Sequence, residues 1–426
     1  MKRYWLFLMA TCGILVPAGL YASRDNAHFY RATNFFGEPR FEKPWLSTFD
    51  LYASGGRTSQ GFNGEHEKVP LLDIYGTYNM QLLGAGVPGK DFIYNISDVI
   101  LEELALLPAR GCFGKFSFDG HFNLTELNIF YMQNFCHGLF LYVHTPIRFL
   151  SVTNIKYCDL SPNDCQDPNV NNPIWQAFLA DFNNIMNQYC LNIGSVHESG
   201  MGDLSVQLGW TLNYQETDVL DFVDLTIRSG FLFSTSKKQN PNVVFDIPLG
   251  YNGHNAVPIS FDAAFGTYDW LTVGGHVGAL IFFHNTQDFR VKTNKYQSGM
   301  IKLACDPCVS NEKGNIWEIG AYLKADHIVR GFSLLLGYGY VSEQASQLST
   351  QNGTVFFAPV VNSDQMFDSW NMHTLNVRAE YDFTKRNSRV GPRVTLFYDY
   401  PISGKHIFRT WMLGGHAGID IAWSLD

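Results

Sequence analysis

The sequence predicts an all-β protein, a transmembrane antiparallel up-and-down β-barrel of about twelve strands. Three observations carry that reading. From about residue 115 onward, apolar and polar side chains alternate with a period of two. The connections between the alternating segments switch between short and long. After residue 23 there is no run of the roughly 18 apolar residues that a membrane helix needs, and a closed barrel is the other structure that satisfies its own backbone in hydrocarbon.

Composition agrees. The 426 residues are 46 % hydrophobic and 15 % aromatic but only 16 % charged, against about 25 % charged in soluble domains. Abundant glycine (38) and phenylalanine (34) suit strands that face something apolar. A net charge of -9 offers no basic footprint, so no nucleic-acid partner is expected.

The chain opens with Lys2 and Arg3 followed by "YWLFLMATCGILVPAGL", a positive region and an apolar core. This reads as a signal peptide over 1–23, cleaved near Ala22 or Ser23. Residues 24–110 have less period. "WLSTFDLYASGG" has strand character, "VPLLDIYGTYNMQLLG" has no clear repeat, and "ISDVILEELALLP" predicts a short helix capped by Ser97 and stopped by Pro108. Such a segment can plug the lumen, hang in the periplasm or add strands; a plug or lumen-contacting role is the reading adopted, with the barrel over 111–426.

Alternation places strands near 116–132, 137–144, 146–157, 203–214, 222–235, 257–266, 270–284, 315–327, 331–342, 371–383, 392–400 and 412–425. The first of these changes phase near Glu126, and the count lies between ten and fourteen. Short gaps fall around Thr145 and at 215–221, 267–269, 328–330 and 384–391. Long gaps fall at 158–202, 236–256, 285–314, 343–370 and 401–411, with a tight exception at 133–136. Short periplasmic turns opposite long surface loops are the habit of bacterial barrels, and an even count returns both barrel ends to the periplasmic side.

The phase of each strand separates a lipid face from a lumen face. In "HTLNVRAEYDF", Leu375, Val377, Ala379 and Tyr381 oppose Asn376, Arg378, Glu380 and Asp382. Applied along the chain, the lumen face holds the acids Asp224, Asp262, Glu318, Asp326, Glu380, Asp382, Asp399 and Asp420. Against them stand Arg228, Lys324, Arg378 and Arg393, with His276 on the same face. Most of these charges are expected to pair across strands, and the acidic excess favours cations or neutral solutes over anions.

One loop breaks the strand period. In "NNPIWQAFLADFNNIMNQYCLNIG" (171–194), Trp175, Phe178 and Phe182 recur at helical spacing behind Pro173. This surface-loop helix either rests on the barrel rim or forms a lid over the pore mouth. Export permits disulfides. Cys158 and Cys165 share that loop with Cys190, and Cys305 and Cys308 flank Asp-Pro in another. Loop-closing disulfides are expected, with pairing left open. No second CxxC or histidine cluster stands near, so neither metal nor cofactor is expected.

The last segment, "HAGIDIAWSLD", keeps its period to the end. It reads as the closing strand paired with 116–132, with Ile419, Ile421, Trp423 and Leu425 toward lipid and His416, Asp420 and Ser424 toward the lumen.

With these features the chain resembles Gram-negative outer-membrane β-barrels. His416, Gly418, Ile421 and Trp423 occupy the places of that class's assembly signal, although Ser424, Leu425 and Asp426 extend past it. The resemblance implies an outer-membrane location amid lipid and lipopolysaccharide, and recognition by the barrel-assembly machinery. "GMGDLSVQLGW" (200–210) resembles strand openings of fatty-acid and aromatic-hydrocarbon uptake channels, which implies diffusive passage of a small-molecule solute without catalysis. Two alternatives stand beside it. One is a structural or adhesive barrel that binds a partner through its long loops. The other is a hydrolase, because His197 and Ser199 are spaced as in outer-membrane phospholipases; Thr211 stands where that family needs an orienting Asn, and Asn213 is out of phase.

Overall fold

The computed structural model describes residues 46–87, 96–106, 114–161, 172–215, 220–268, 270–350, 353, 355–384 and 388–423. The signal-peptide assignment, Cys165 and residues 424–426 lie outside them. Twelve long strands follow the alternation. They are β1 (Leu46–Thr58), β2 (Lys115–Asn134), β3 (Leu139–Asp159), β4 (Leu204–Gln215), β5 (Phe222–Phe233) and β6 (Ala256–Tyr268). The rest are β7 (Leu271–Phe282), β8 (Ile316–Val329), β9 (Phe332–Glu343), β10 (Trp370–Asp382), β11 (Val390–Lys405) and β12 (Trp411–Ala422). Each pairs antiparallel with its neighbours in sequence, and β12 closes on β1 from Leu46↔Ala422 to Arg57↔Trp411.

The total of twelve agrees with the sequence reading, but two of its members differ. Residues 137–144 and 146–157 form one strand, β3, and β1 comes from the segment expected to be a plug. The barrel therefore begins at Leu46 rather than 111, and the C-terminal strand pairs with β1 and β11, not with 116–132. Pro146 looks like a strand break because it lacks a ladder donor. It is tolerated because the neighbouring chain is interrupted there: the strand Val196–Met201 runs beside Ile147–Val152, β4 starts at Leu204, and Gly202 donates to the Pro146 carbonyl at 2.7 Å.

The real turn between β2 and β3 lies at 135–138. Gly138 has φ +79, and a Cβ there would meet the Thr211 carbonyl oxygen at 2.1 Å, so only glycine fits. With this turn moved to the short side, the tight exception disappears. Short connections and long ones then alternate around the barrel except at β11–β12, where β11 runs on to Lys405 and only 406–410 intervene.

Phase inversion along β2 explains the irregularity near Glu126. Below it, Leu127, Ile129 and Tyr131 point outward while Glu126, Asn128 and Phe130 are buried inside. Above it, His121, Asn123 and Thr125 are exposed outside, while Phe116, Phe118, Phe122 and Leu124 are buried inside. The strand leaves the apolar belt at this level. Beyond it, hydrophobic side chains turn inward to meet the long loops.

Those loops build one cap at the long-loop end. Its core joins Leu71, Leu72 and Tyr78 from the β1–β2 connection with Trp175, Phe178 and Phe182 of the loop helix. Phe245 and Leu249 from β5–β6, Met300 from β7–β8, Met366 from β9–β10 and Phe408 from β11–β12 complete it. The predicted helix near 96 is α1 (Ile96–Leu106), with Leu101 and Leu104 in the same core. The loop helix is α2 (Pro173–Gln188); the Asn172 side chain caps it by accepting from the Ile174 amide at 2.8 Å. The segment after β1 thus packs at the long-loop end, away from the short-turn end where a periplasmic extension would hang.

Candidate functional site: the barrel lumen

Inside the barrel, charged side chains share the lumen with a buried cluster of Tyr52, Phe130, Met132, Phe140, Tyr142 and Phe397. The charges stand in several paired groups. At the seam, the Arg393 guanidinium meets both oxygens of Asp50 at 2.7 and 2.9 Å and lies 3.7 Å from Asp420. His416 Nε2 is 2.8 Å from Asp50, and its Nδ1 is 2.9 Å from the Thr395 hydroxyl, which donates to Glu380 at 3.2 Å. Tyr52 stacks on the His416 ring at 4.1 Å, and its hydroxyl accepts from Arg378 at 3.0 Å.

On β2 and β3, Arg148 pairs with Glu126 at 2.5 Å, Asn128 bonds the same carboxylate, and His144 lies 3.0 Å from Asn128. Across the lumen, Arg228 pairs with Asp262 at 2.9 Å, donates to Ser260 at 3.2 Å and lies over the Tyr142 ring at 5.3 Å. His276 and Glu318 approach to 4.0 Å on β7 and β8. Lower on β8, Lys324 meets Asp326 at 3.2 Å, and Asp326 also accepts from Thr272 and Ser333.

The remaining sequence-selected acids sit on the same inward positions. Asp224 accepts from Asn213, Asp382 accepts from the Thr384 amide at 2.7 Å near the turn end, and Asp399 is buried on β11. The residues that join the clusters carry weaker signals in the sequence. Asp50 and Tyr52 belong to the segment that reads as a plug. Glu126 stands at the phase change, and Arg148 belongs to the expected strand 146–157, set apart from 137–144 by the gap at Thr145. Continuing the period of two from His144 through Pro146 reaches Arg148.

Arg148, Ser260 and Glu318 of these groups also line, with Tyr142, Gln207 and Tyr251 among others, a partly open cavity of about 90 Å³. The cavity-lining residues Arg148 and Asp203 also hold the β5–β6 connection, whose segment Val244–Gly250 is buried throughout. Two wall residues pin that segment. The Asp203 carboxylate accepts from the amides of Ser236 (3.0 Å) and Tyr251 (2.6 Å), holding both ends of the loop. Arg148 donates to the Leu249 carbonyl at 2.5 Å while it holds Glu126. Behind the loop, His254 lies 2.9 Å from the Phe283 carbonyl and 3.0 Å from the Asn311 amide group. Burial pushes its imidazole down to about 4.

Trp175, Phe178 and Phe182 point into the cap core rather than out over the mouth, and Trp175 Nε1 donates to Asp159 at 3.0 Å. The expected disulfides are not formed among the described residues: Cys136, Cys158, Cys190, Cys305 and Cys308 are free thiols. Cys305 and Cys308 share one extended segment, Ala304–Glu312. Three residues of strand span about 10 Å, beyond the roughly 7 Å a disulfide bridges. His197 and Ser199 share the strand beside β3, and no hydrogen bond joins them among the described residues. Thr211 and Asn213 face inward and bond Thr226 and Asp224 instead, so no nucleophile–base–orienter set is assembled.

Outside, the wall carries exposed Leu208, Ile227, Val277, Ile319, Leu336, Val377, Leu396 and Leu413. Exposed aromatics ring both ends: Tyr214, Tyr268, Trp270, Phe383 and Trp423 at the turns, Phe149, Phe233, Phe283 and Trp317 toward the loops. No helix among the described residues is long and apolar enough to cross a membrane; the strands form the apolar band between aromatic girdles that bilayer-spanning barrels require. This is a closed, twelve-stranded transmembrane β-barrel.

No protein-family model matches the chain, and no curated protein matches it. Solved barrels are similar at low identity. An outer-membrane channel from Pseudomonas putida F1 aligns at 12 % identity over 90 % of this chain and 100 % of its own, with a TM-score of 0.49. A deltaS2 mutant of the TodX monoaromatic hydrocarbon channel aligns at 10 % identity over 95 % and 97 %, TM-score 0.35. The transport unit of the autotransporter AIDA-I from Escherichia coli aligns at 7 % identity over 93 % and 95 %, TM-score 0.36.

Proposed function

We propose that this barrel is a channel that passes small solutes across the outer membrane by diffusion, without catalysis. The observation that carries the reading is the lumen itself. Buried Asp50, Glu126, Arg228 and Arg393 stand inside the barrel beside an aromatic cluster, and Arg148, Ser260 and Glu318 line a cavity there, a charged interior that a barrel serving only as an anchor does not need. Acids outnumber bases on the inward face, so cations and neutral molecules pass more readily than anions. The pinned Val244–Gly250 segment is the gate: it must move for solute to travel between cavity and cap. Planar bilayers containing purified protein test this. Discrete conductance steps with a reversal potential shifted toward the cation are expected.

A second reading has an observation of its own. The long connections fuse into one apolar-cored cap, which also suits a barrel that presents a rigid surface to a partner. A bilayer that stays silent although the protein has inserted and shifts on unheated gels would select this reading over the channel.

A further inference from the structure

We infer that the cap holds a binding site for one small oxyanion, a carboxylate of one or two carbons, which ties the β5–β6 connection to the β7–β8 connection. A pocket of about 40 Å³ lies where these two connections meet. Leu191, Val244, Phe289, Met300, Met366 and Phe367 give it apolar walls, and Arg290, Lys302 and Asn252 bring nitrogen donors to it.

The polar groups at this pocket are short of acceptors. Asn252 is 1 % exposed, and its side-chain oxygen accepts from the Gln239 amide at 2.9 Å. That bond fixes which end of the carboxamide is oxygen. The other end, Nδ2, is therefore a donor, and it is buried with no hydrogen-bond partner. Arg290 gives its outer nitrogens to neutral oxygens: the Leu303 carbonyl at 2.6 Å, the Tyr189 carbonyl at 2.9 Å and the Asn242 side chain at 2.6 Å. Its Nε is buried and unpartnered, and no carboxylate pairs with the guanidinium among the described residues. Lys302, 2 % exposed, donates to the Gly299 carbonyl and meets Asp364 at 3.2 Å. An ammonium has three hydrogens, which leaves one. Asp288 also borders the pocket, but it is exposed, and its Oδ1 accepts from the Cys308 amide at 3.0 Å.

A buried donor without an acceptor is costly, most of all on a charged group. These donors, two of them on cations, call for an anion with at least two acceptor oxygens. Size sets the rest. A water needs roughly 10–15 Å³ of such space, so the pocket takes only three or so atoms of that size. Formate and acetate match it, and carboxylates with longer chains do not. Asn252 belongs to the β5–β6 connection and Arg290 and Lys302 to β7–β8. An oxyanion between them holds the Val244–Gly250 segment's own connection against its neighbour.

Hydrogen exchange of the full chain, folded in detergent, tests this with sodium formate as the probe. Sodium gluconate at equal ionic strength supplies an ion too large to enter. Formate at roughly ten times its half-saturating concentration should raise the protection of amides in 239–252 and 287–303 about tenfold. Acetate should act similarly, whereas gluconate and hexanoate should not. Arg290→Lys keeps the charge without Nε and should raise the half-saturating formate concentration about tenfold. Asn252→Asp keeps the oxygen that Gln239 uses and puts an acceptor in place of Nδ2, so it should be protected without formate and indifferent to it. Equal protection of wild type in formate and gluconate would mean that water serves these donors, and it overturns the assignment. A hexanoate response equal to that of formate does the same. A formate response unchanged in both variants puts the anion elsewhere on the cap and also overturns it. The first two outcomes need wild type alone, so they stand even if a variant fails to fold. Exchange is read without conductance, so the channel reading stands or falls separately.

Discussion

Arg393 on β11 reaches across β12 to grip Asp50 on β1, with one nitrogen 2.7 and 2.9 Å from the two carboxylate oxygens. The pair spans the seam from within, since β12 lies between β11 and β1. Both partners are buried, so removing one leaves the other with a weaker partner only, Asp420 at 3.7 Å for Arg393 or His416 for Asp50. Asp50→Ala should cost about 3–5 kcal/mol, read as a lower urea midpoint for tryptophan fluorescence in detergent. Arg393→Ala should cost a similar amount because His416 cannot replace both bonds to Asp50. A midpoint unmoved in both would show that the seam does not depend on this contact.

Arg148 offers a way to open the lumen while leaving the strand ladder intact. Its bond to the Leu249 carbonyl holds the gate, and its bond to Glu126 fixes its own position. Arg148→Ala should raise open probability in single-channel records, and Glu126→Gln should do so to a smaller extent. Barrel formation, followed as gel mobility before and after boiling, should remain. Traces identical to wild type would remove Arg148 from the gate.

The gate should also loosen in acid. His254 is held neutral by burial, its value pushed from 6.5 down to about 4. A base depressed in the folded state supports folding fully above 6.5 and loses that support as pH falls through about 4. Protonation also removes the ring acceptor that Asn311 uses. Protection of the amides in 252–256 and 309–313, taken relative to their intrinsic exchange rates at each pH, should therefore fall between pH 6.5 and 4. In His254→Phe the same segments should exchange without that pH slope.

Truncation tests closure. β12 pairs along its length with both β1 and β11. Deleting 411–426 leaves two edges in hydrocarbon, each unsatisfied backbone group costing several kcal/mol. No heat-modifiable barrel should form, and deleting 46–58 should have the same result. A folded eleven-strand product from either deletion would contradict the closure described.

Much of this barrel was legible because the bilayer enforces a period of two wherever a strand faces lipid. β4 through β12 lie close to the segments read from alternation. Illegible features share one cause: they depend on partners distant in sequence. β1 hides its alternation behind Ala53, Gly55 and Gly56, whose small side chains weaken the pattern. Pro146 counts as a break until Gly202 supplies the interruption opposite it. Glu126 looks like an error in phase because a single sequence does not mark where the membrane stops. The cap and the gate were beyond reach, since their core is drawn from residues as far apart as Leu71 and Phe408.

The inversion along β2 has a consequence for how the molecule is made. Below Thr125 the barrel is built for oil outside, and above it the same strand belongs to a small water-soluble globule. That globule has no contiguous chain of its own; its pieces meet only when all twelve strands stand in register, because a slip of one residue turns Phe116, Phe118 and Phe122 away from it. The cap is thus an inspection seal, completed only on a correctly closed barrel, and its protection against protease should mark the finished product.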